Sequence, residues 1–248
     1  MRPSGLSIGS DRFRAVSAAH DLRWPDLVWS HFSRPRFGGF DERVSAAAAA
    51  GFAGIALFAP EYARLRDEEG RSAKDIGRQL DDHGLVLAEI ETVHGWASTG
   101  EAAAESARRE TLAYELADEL GCRHLQAIVE AADRSNGGYC VDIWHHTRGA
   151  ADDAMIRALP GDRVVAVQMD DGPRQPQLAD YKQDCMLHRV PPGEGEFDCV
   201  GFVRMLTEIG VQAPISLEIC SAELWAAPAE EAARRAADAM RAVLVEAG

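Results

Sequence analysis

Short runs of consecutive apolar residues alternate along this chain with longer stretches of helical period. That is the pattern of buried parallel strands separated by helices. Residues 27–32 form the first strand expected, followed by an alanine-rich helix over Phe40–Ala50 with Asp41 as N-cap and Gly51 as its stop. Gly54–Phe58 is the second strand, Ala73–Asp82 a helix ending near Gly84, and 85–91 the third strand. A long helix over 102–120 carries Leu112, Leu116 and Leu120 at i, i+4, i+8, and Gly121 closes it. Residues 124–128 are the fourth strand. There the rhythm breaks: 129–136 reads as the tail of a helix, Gly137-Gly138 ends it, and the apolar run Tyr139-Cys140-Val141 follows at once. Helix is expected again over 151–159, strand over Val164–Met169, helix around 202–209, strand over 215–219 and a last helix over 229–245. Alternating strands and helices make a parallel α/β sheet with right-handed connections. About seven strands are visible, where a closed (β/α)8 barrel takes eight.

At 248 residues the chain suits one such barrel, typically about 250 residues long. Residues 1–20 lack a period and read as an N-terminal extension, leaving 21–248 as a single domain. A formal net charge of −14 argues against a nucleic-acid backbone as partner, since phosphate binding needs clustered Lys and Arg. It fits an acidic site that holds a cation. No apolar run approaches the ~18 residues of a membrane span, and the first twenty residues lack the apolar core of a signal peptide. The cysteines (Cys122, Cys140, Cys185, Cys199, Cys220) are odd in number and follow no zinc-site spacing, so buried free thiols in a reducing cytoplasm are expected.

Active sites of parallel barrels lie where strands end. Three strand-like runs deliver polar groups at or near their tips: Asp142 with His145 and His146, Gln168 with Asp170 and Asp171, and Glu218. The His145-His146 pair has no HxxxH or HExxH partner, so a zinc-protease reading fails. Each candidate has a plainer role. Asp142 could cap a helix, Gln168 could bond a neighbouring backbone, and Glu218, between Leu217 and Ile219, is costly to bury unless a cation pairs it. Arg189 could meet substrate or pair with Glu194 or Glu196. Trp96, beside His94, could wall the site or fill the core. Glu89 and Glu91 share one face of their strand; one could enter the barrel, but a solvated strand end is expected.

Taken in order, these stretches resemble the xylose-isomerase-like TIM barrels, the sugar phosphate isomerase/epimerase group, from about Phe40 to the C-terminus. Residues 46–55 look like that family's first helix entering its second strand. Val141-Asp142-Ile143-Trp144-His145 is similar to its Asp-x-x-His strand end, and Val167-Gln168-Met169-Asp170-Asp171 to the strand that offers a His or Gln ligand. Arg189-Val190-Pro191-Pro192-Gly193-Glu194-Gly195 looks like its Arg…Pro-Gly-Glu-Gly loop, and Ser216-Leu217-Glu218 like its final ligand strand. The resemblance implies a divalent ion (Mg, Mn or Co, with Zn a further option) held by Asp142, Gln168 and Glu218. It also implies a fourth ligand, a Glu from a fifth strand. Nothing between Ile128 and Asp142 matches that strand; about one strand and one helix, roughly 30 residues, are either deleted or left out of this sequence. Glu130 stands nearby but in a helical setting.

By the same resemblance the activity is a metal-dependent isomerase or epimerase acting next to a carbonyl on a sugar, sugar phosphate or polyol ketone. The ion would polarise the carbonyl, and paired carboxylates would move the proton. Glu218 would be one of that pair and Arg189 would steady a substrate oxygen. His145, Trp96 and His94 would contact the sugar-like substrate. A dehydratase or lyase on a related substrate begins with the same step. A non-catalytic sugar-binding or partner subunit, short of its fourth ligand, is the reading from another class. A homodimer is implied, and neither nucleic acid nor membrane is an expected partner.

Overall fold

A computed structural model describes residues 21–34, 39–93, 100–122, 125–127 and 137–248. Its seven strands are β1 (Leu27–Trp29), β2 (Gly54–Phe58), β3 (Val86–Val93), β4 (Leu125–Ala127), β5 (Tyr139–Asp142), β6 (Val164–Met169) and β7 (Ile215–Leu217). They form one sheet in the order β4-β3-β2-β1-β7-β6-β5, every pairing parallel. The first strand lies between the second and the last, as in a barrel closed by its final strand. The two sheet edges, β4 and β5, are neighbours in sequence, and they flank the stretch where one strand-helix unit is missing from the pattern. Residues 128–136, Glu130 included, lie outside the described residues, as do His94 and Trp96.

The helices are α1 (Phe40–Ala50), α2 (Ala59–Asp67), α3 (Ala73–Asp82), α4 (Glu101–Leu120), α5 (Ile143–Arg148) and α6 (Asp153–Arg157), then α7 (Tyr181–Leu187), α8 (Cys199–Glu208), α9 (Ala222–Ala226) and α10 (Ala229–Ala247). Gly51 ends α1 in the left-handed region at φ 76°, returning its N–H to Ala47 and Ala48. The start of α1 differs from expectation. Gly39 is the cap, and Asp41 sits in the first turn, where its carboxylate takes Arg71 Nη1 at 2.6 Å. Ser72 and Asp75 open α3 with a reciprocal capping box. The first strand stops at Trp29, because Ser30 turns the chain into a short 3-10 helix over His31–Ser33. The helix expected over 151–159 is only the short α6, and α2, α7 and α9 had no clear periodic signal. In α2, Pro60 enters the first turn, where its missing N–H costs nothing.

Alternation along the strands sorts the side chains. Ile90, Met169, Ile215 and Leu217 are fully buried against the helices, while Glu89, Glu91, Gln168 and Ser216 turn to the opposite, inner side. Leu116 is the most deeply buried leucine of the α4 stripe, with Leu112 and Leu120 packed partly against the core. Among the described residues no helix is long and apolar enough to cross a membrane.

Candidate active site

Strand register sets three of the expected residues side by side. Asp142 pairs with Gln168 across β5 and β6, Gln168 pairs with Ser216 across β6 and β7, and the Glu218 N–H donates to Met169 O at 3.2 Å. The tips of three adjacent strands therefore present Asp142, Gln168 and Glu218 together. Asp142 does two things at once. Its Oδ1 caps α5, accepting from the N–H groups of Trp144 at 2.7 Å and His145 at 3.2 Å, while its Oδ2 has no hydrogen-bond partner. On Gln168, Oε1 is approached by the Cys140 thiol at 3.5 Å, and the other end of the amide, placed as Nε2, is buried without a partner. An amide turned end for end would offer oxygen there instead.

Arg189 stands among these groups and is only 2% exposed. Its Nη1 lies 2.5 Å from Asp170 Oδ2, 2.9 Å from Glu218 Oε2 and 3.6 Å from Asp142 Oδ2, and its guanidinium lies over the Trp144 ring at 5.2 Å. Glu194 and Glu196 are engaged elsewhere, by Arg235 and Arg174. Burial works against the charge on Arg189, but Asp170, Asp142 and Glu218 outweigh it and hold the guanidinium charged well beyond its usual range. One cation cannot neutralise three carboxylates. Burial drives the Glu218 carboxyl up to about 7, with the charges of Asp142 and Glu89 adding to the rise and Arg189 opposing it. Burial pushes Asp170 up as well.

The loop that carries Arg189 is gathered by a residue to which the sequence reading gave no role. Buried Asp171 accepts from Gly193 and Gly195 N–H at 3.0 Å each through Oδ2, and from Gly172 at 2.7 Å and Phe197 at 2.9 Å through Oδ1. Its own backbone bridges Val190 in both directions at 2.9 Å. A Cβ at Gly195 would lie 2.3 Å from Asp171 Oδ1, which explains the second glycine of the Pro-Pro-Gly-Glu-Gly sequence.

The inner face of β3 corrects another expectation. Glu89 and Glu91 do not form a solvated strand end; they are 3% and 0% exposed. Glu89 Oε2 accepts from the Ser216 hydroxyl at 3.0 Å, a bond from β3 to β7 that shows both side chains on the inside of the sheet. Glu91 Oε1 accepts from His31 N–H at 3.2 Å, and its Oε2 makes no hydrogen bond. The period-two argument gave the shared face correctly; which side it faced depended on the curvature of the whole sheet. His145, by contrast, lies on the more open side. Its Nδ1 is 3.0 Å from the Tyr181 hydroxyl and its Nε2 is 3.7 Å from Asp142 Oδ2.

Among the described residues no three His, Cys, Asp or Glu side chains are gathered tightly enough to hold a metal ion on their own. The donors offered by Asp142, Gln168 and Glu218 nevertheless suit a hard or borderline divalent cation. Asp142 Oδ2 and one end of the Gln168 amide are buried without a hydrogen bond, and the surrounding carboxylates exceed the single guanidinium between them. The residues fit the ion that the family resemblance implies.

Residues 123–243 match the model of the xylose isomerase-like TIM barrel family. A curated relative, the 3-dehydroshikimate dehydratase of Pseudomonas putida, is 34% identical over 117 residues, 47% of this chain. That matched stretch spans only 18% of the relative's own length. Among solved structures, the IOLI protein with a binding zinc atom superposes with a TM-score of 0.76 at 16% identity, covering 90% of this chain and 99% of that one. A xylose isomerase-like TIM barrel/4-hydroxyphenylpyruvate dioxygenase fusion protein gives 0.72 at 22% identity, over 88% of this chain and 42% of that one. These superpositions establish the fold.

Proposed function

We propose that this xylose isomerase-like TIM barrel is a divalent-metal-dependent enzyme that abstracts a proton next to a carbonyl and expels water from a cyclic β-hydroxy ketone of the 3-dehydroshikimate type. The observation that carries the reading is the convergence of Asp142, Gln168 and Glu218 on three adjacent strand tips around Arg189. The choice of dehydration over isomerisation or epimerisation rests on the 34% identity to a 3-dehydroshikimate dehydratase. Both reactions share their first step.

Asp142, Gln168 and Glu218 would hold the cation, which when bound supplies Lewis-acid polarisation of the substrate carbonyl. Glu218 is the base. It is buried at the tip of the last strand beside Asp142 and Arg189, where a carboxylate can take a proton from bound substrate. Arg189, fixed by Asp170 and packed on Trp144, places positive charge where an enolate oxygen develops. His145, held by Tyr181 at the edge of the site, bonds a substrate hydroxyl.

The test is turnover of 3-dehydroshikimate by the chelator-treated chain resupplied with Mn²⁺, Mg²⁺ or Co²⁺. Metal-dependent loss of water that disappears in Glu218→Gln supports the reading. Epimerisation of ketoses without dehydration would give the site to the isomerases, and failure to bind any of the three ions would place the chain among non-catalytic barrels.

A further inference from the structure

Elimination needs a proton for the departing hydroxyl, and a second proton carrier can supply it. The strand expected to supply the paired glutamate has no counterpart in the sequence between Ile128 and Asp142. The inner wall of β3 holds a carboxyl that nothing above uses.

Glu91 is fully buried in the layer above Glu89, whose bond to Ser216 spans the interior from β3 to β7. Two residues beyond Glu89 on β3 stands Glu91, two beyond Ser216 and just past the end of β7 stands Glu218, and the charge of Glu218 reaches Glu91. One oxygen of Glu91 is fixed by the His31 N–H at 3.2 Å and the other has no partner. At Asp142, likewise, one oxygen caps a helix and the other makes no hydrogen bond. His31 is itself held: its Nδ1 lies 2.7 Å from both Glu61 Oε2 and Arg43 Nη1, and all three side chains are largely buried. The Ser30 side chain, close to the Glu91 carboxyl, and the charge of Arg43 both oppose its protonation. Burial, reinforced by the charges of Glu89 and Glu218, pushes the Glu91 carboxyl well above the usual range, the state that can give up a proton.

We propose that Glu91 is the general acid of this site, donating the proton with which the substrate hydroxyl leaves as water; the assignment rests on the dehydration reading above. In the step, Glu218 takes the proton from the carbon beside the carbonyl. The electrons of that C–H bond pass through the enolate into the new C=C bond as the C–O bond breaks. The departing oxygen takes the Glu91 proton, so that water and the unsaturated ketone are the products. Glu91 regains its proton, and Glu218 loses its own, to solvent after release.

The experiment compares wild type, Glu91→Gln, Glu91→Asp and Glu218→Gln with 3-dehydroshikimate and Mn²⁺ in D₂O. Two quantities are followed: deuterium entering the carbon beside the carbonyl, and loss of water. Glu91→Gln keeps the oxygen that His31 holds. It is expected to exchange deuterium at the wild-type rate while dehydration falls about 10²–10⁴-fold, the range for a lost general acid. Glu91→Asp recovers part of that loss, and Glu218→Gln loses both activities. Glu91→Gln dehydrating like wild type, or losing exchange in step with dehydration, overturns the assignment and leaves the dehydration reading standing. A wild type that neither exchanges nor dehydrates overturns both.

Discussion

Arg189 and Asp170 form a buried ion pair at 2.5 Å, joining the loop after α7 to the end of β6, with both side chains almost wholly out of water. Removing one member of such a pair leaves the other charged and desolvated, which costs about 3–5 kcal/mol. Arg189→Ala strands two further carboxylates and is expected to reach the upper end of that range in urea denaturation. Arg189→Lys cannot reproduce the flat stack on Trp144 and is expected to lose stability while remaining folded.

Glu218 sets a pH dependence whose sign is opposite to that of an ordinary paired carboxylate. Its folded pKa, about 7, lies above the 4.5 of the free group, so between these values the native state binds more protons than the unfolded one. Metal-free protein is therefore expected to lose stability as pH rises from 4.5 to 7. A bound divalent cation takes the place of the proton. Titration calorimetry with Mn²⁺ near pH 6, in buffers of different ionisation enthalpy, is expected to show net proton release, absent in Glu218→Gln.

Asp142 permits its two duties to be separated. Asn keeps an oxygen for the cap of α5, so Asp142→Asn is expected to change stability little and to weaken cation binding by more than tenfold. Asp142→Ala loses the cap as well, about 1 kcal/mol more. Equal Mn²⁺ affinity for wild type and Asp142→Asn would remove Asp142 from the ligand set.

Asp171 is expected to hold the Arg189 loop in shape. Asp171→Ala leaves the N–H groups of Gly172, Gly193, Gly195 and Phe197 without their acceptor. Each bond to a charged acceptor contributes about 1.5–3 kcal/mol, so a loss above 3 kcal/mol is expected. The loss should come with faster amide exchange at those four positions; unchanged protection would show that the loop has other support.

Much of the fold could be read from apolar runs and glycine stops. The bounds of β2, α1, α3 and β6 follow from Gly51, Gly84 and uninterrupted aliphatic residues. The short helices α2, α7 and α9 escaped because their burial is set by neighbours rather than by their own period. That Asp142, Gln168 and Glu218 come together could be read because each lies at or beside the end of its strand. The places of Glu89, Glu91 and Asp171 could not be. Two acids on one strand face carry no mark of whether that face looks inward, and an anchor for backbone amides has no partner side chain to reveal it.

The cap on α5 bears on how such barrels are compared. An aspartate kept at position 142 in a descendant would say little about whether that descendant still reacts with anything, since helix stability alone would preserve it. Gln168 has no comparable second duty: one end of its amide meets a thiol and the other makes no hydrogen bond. In a lineage that gave up the proposed chemistry, position 168 is where the change would first be written.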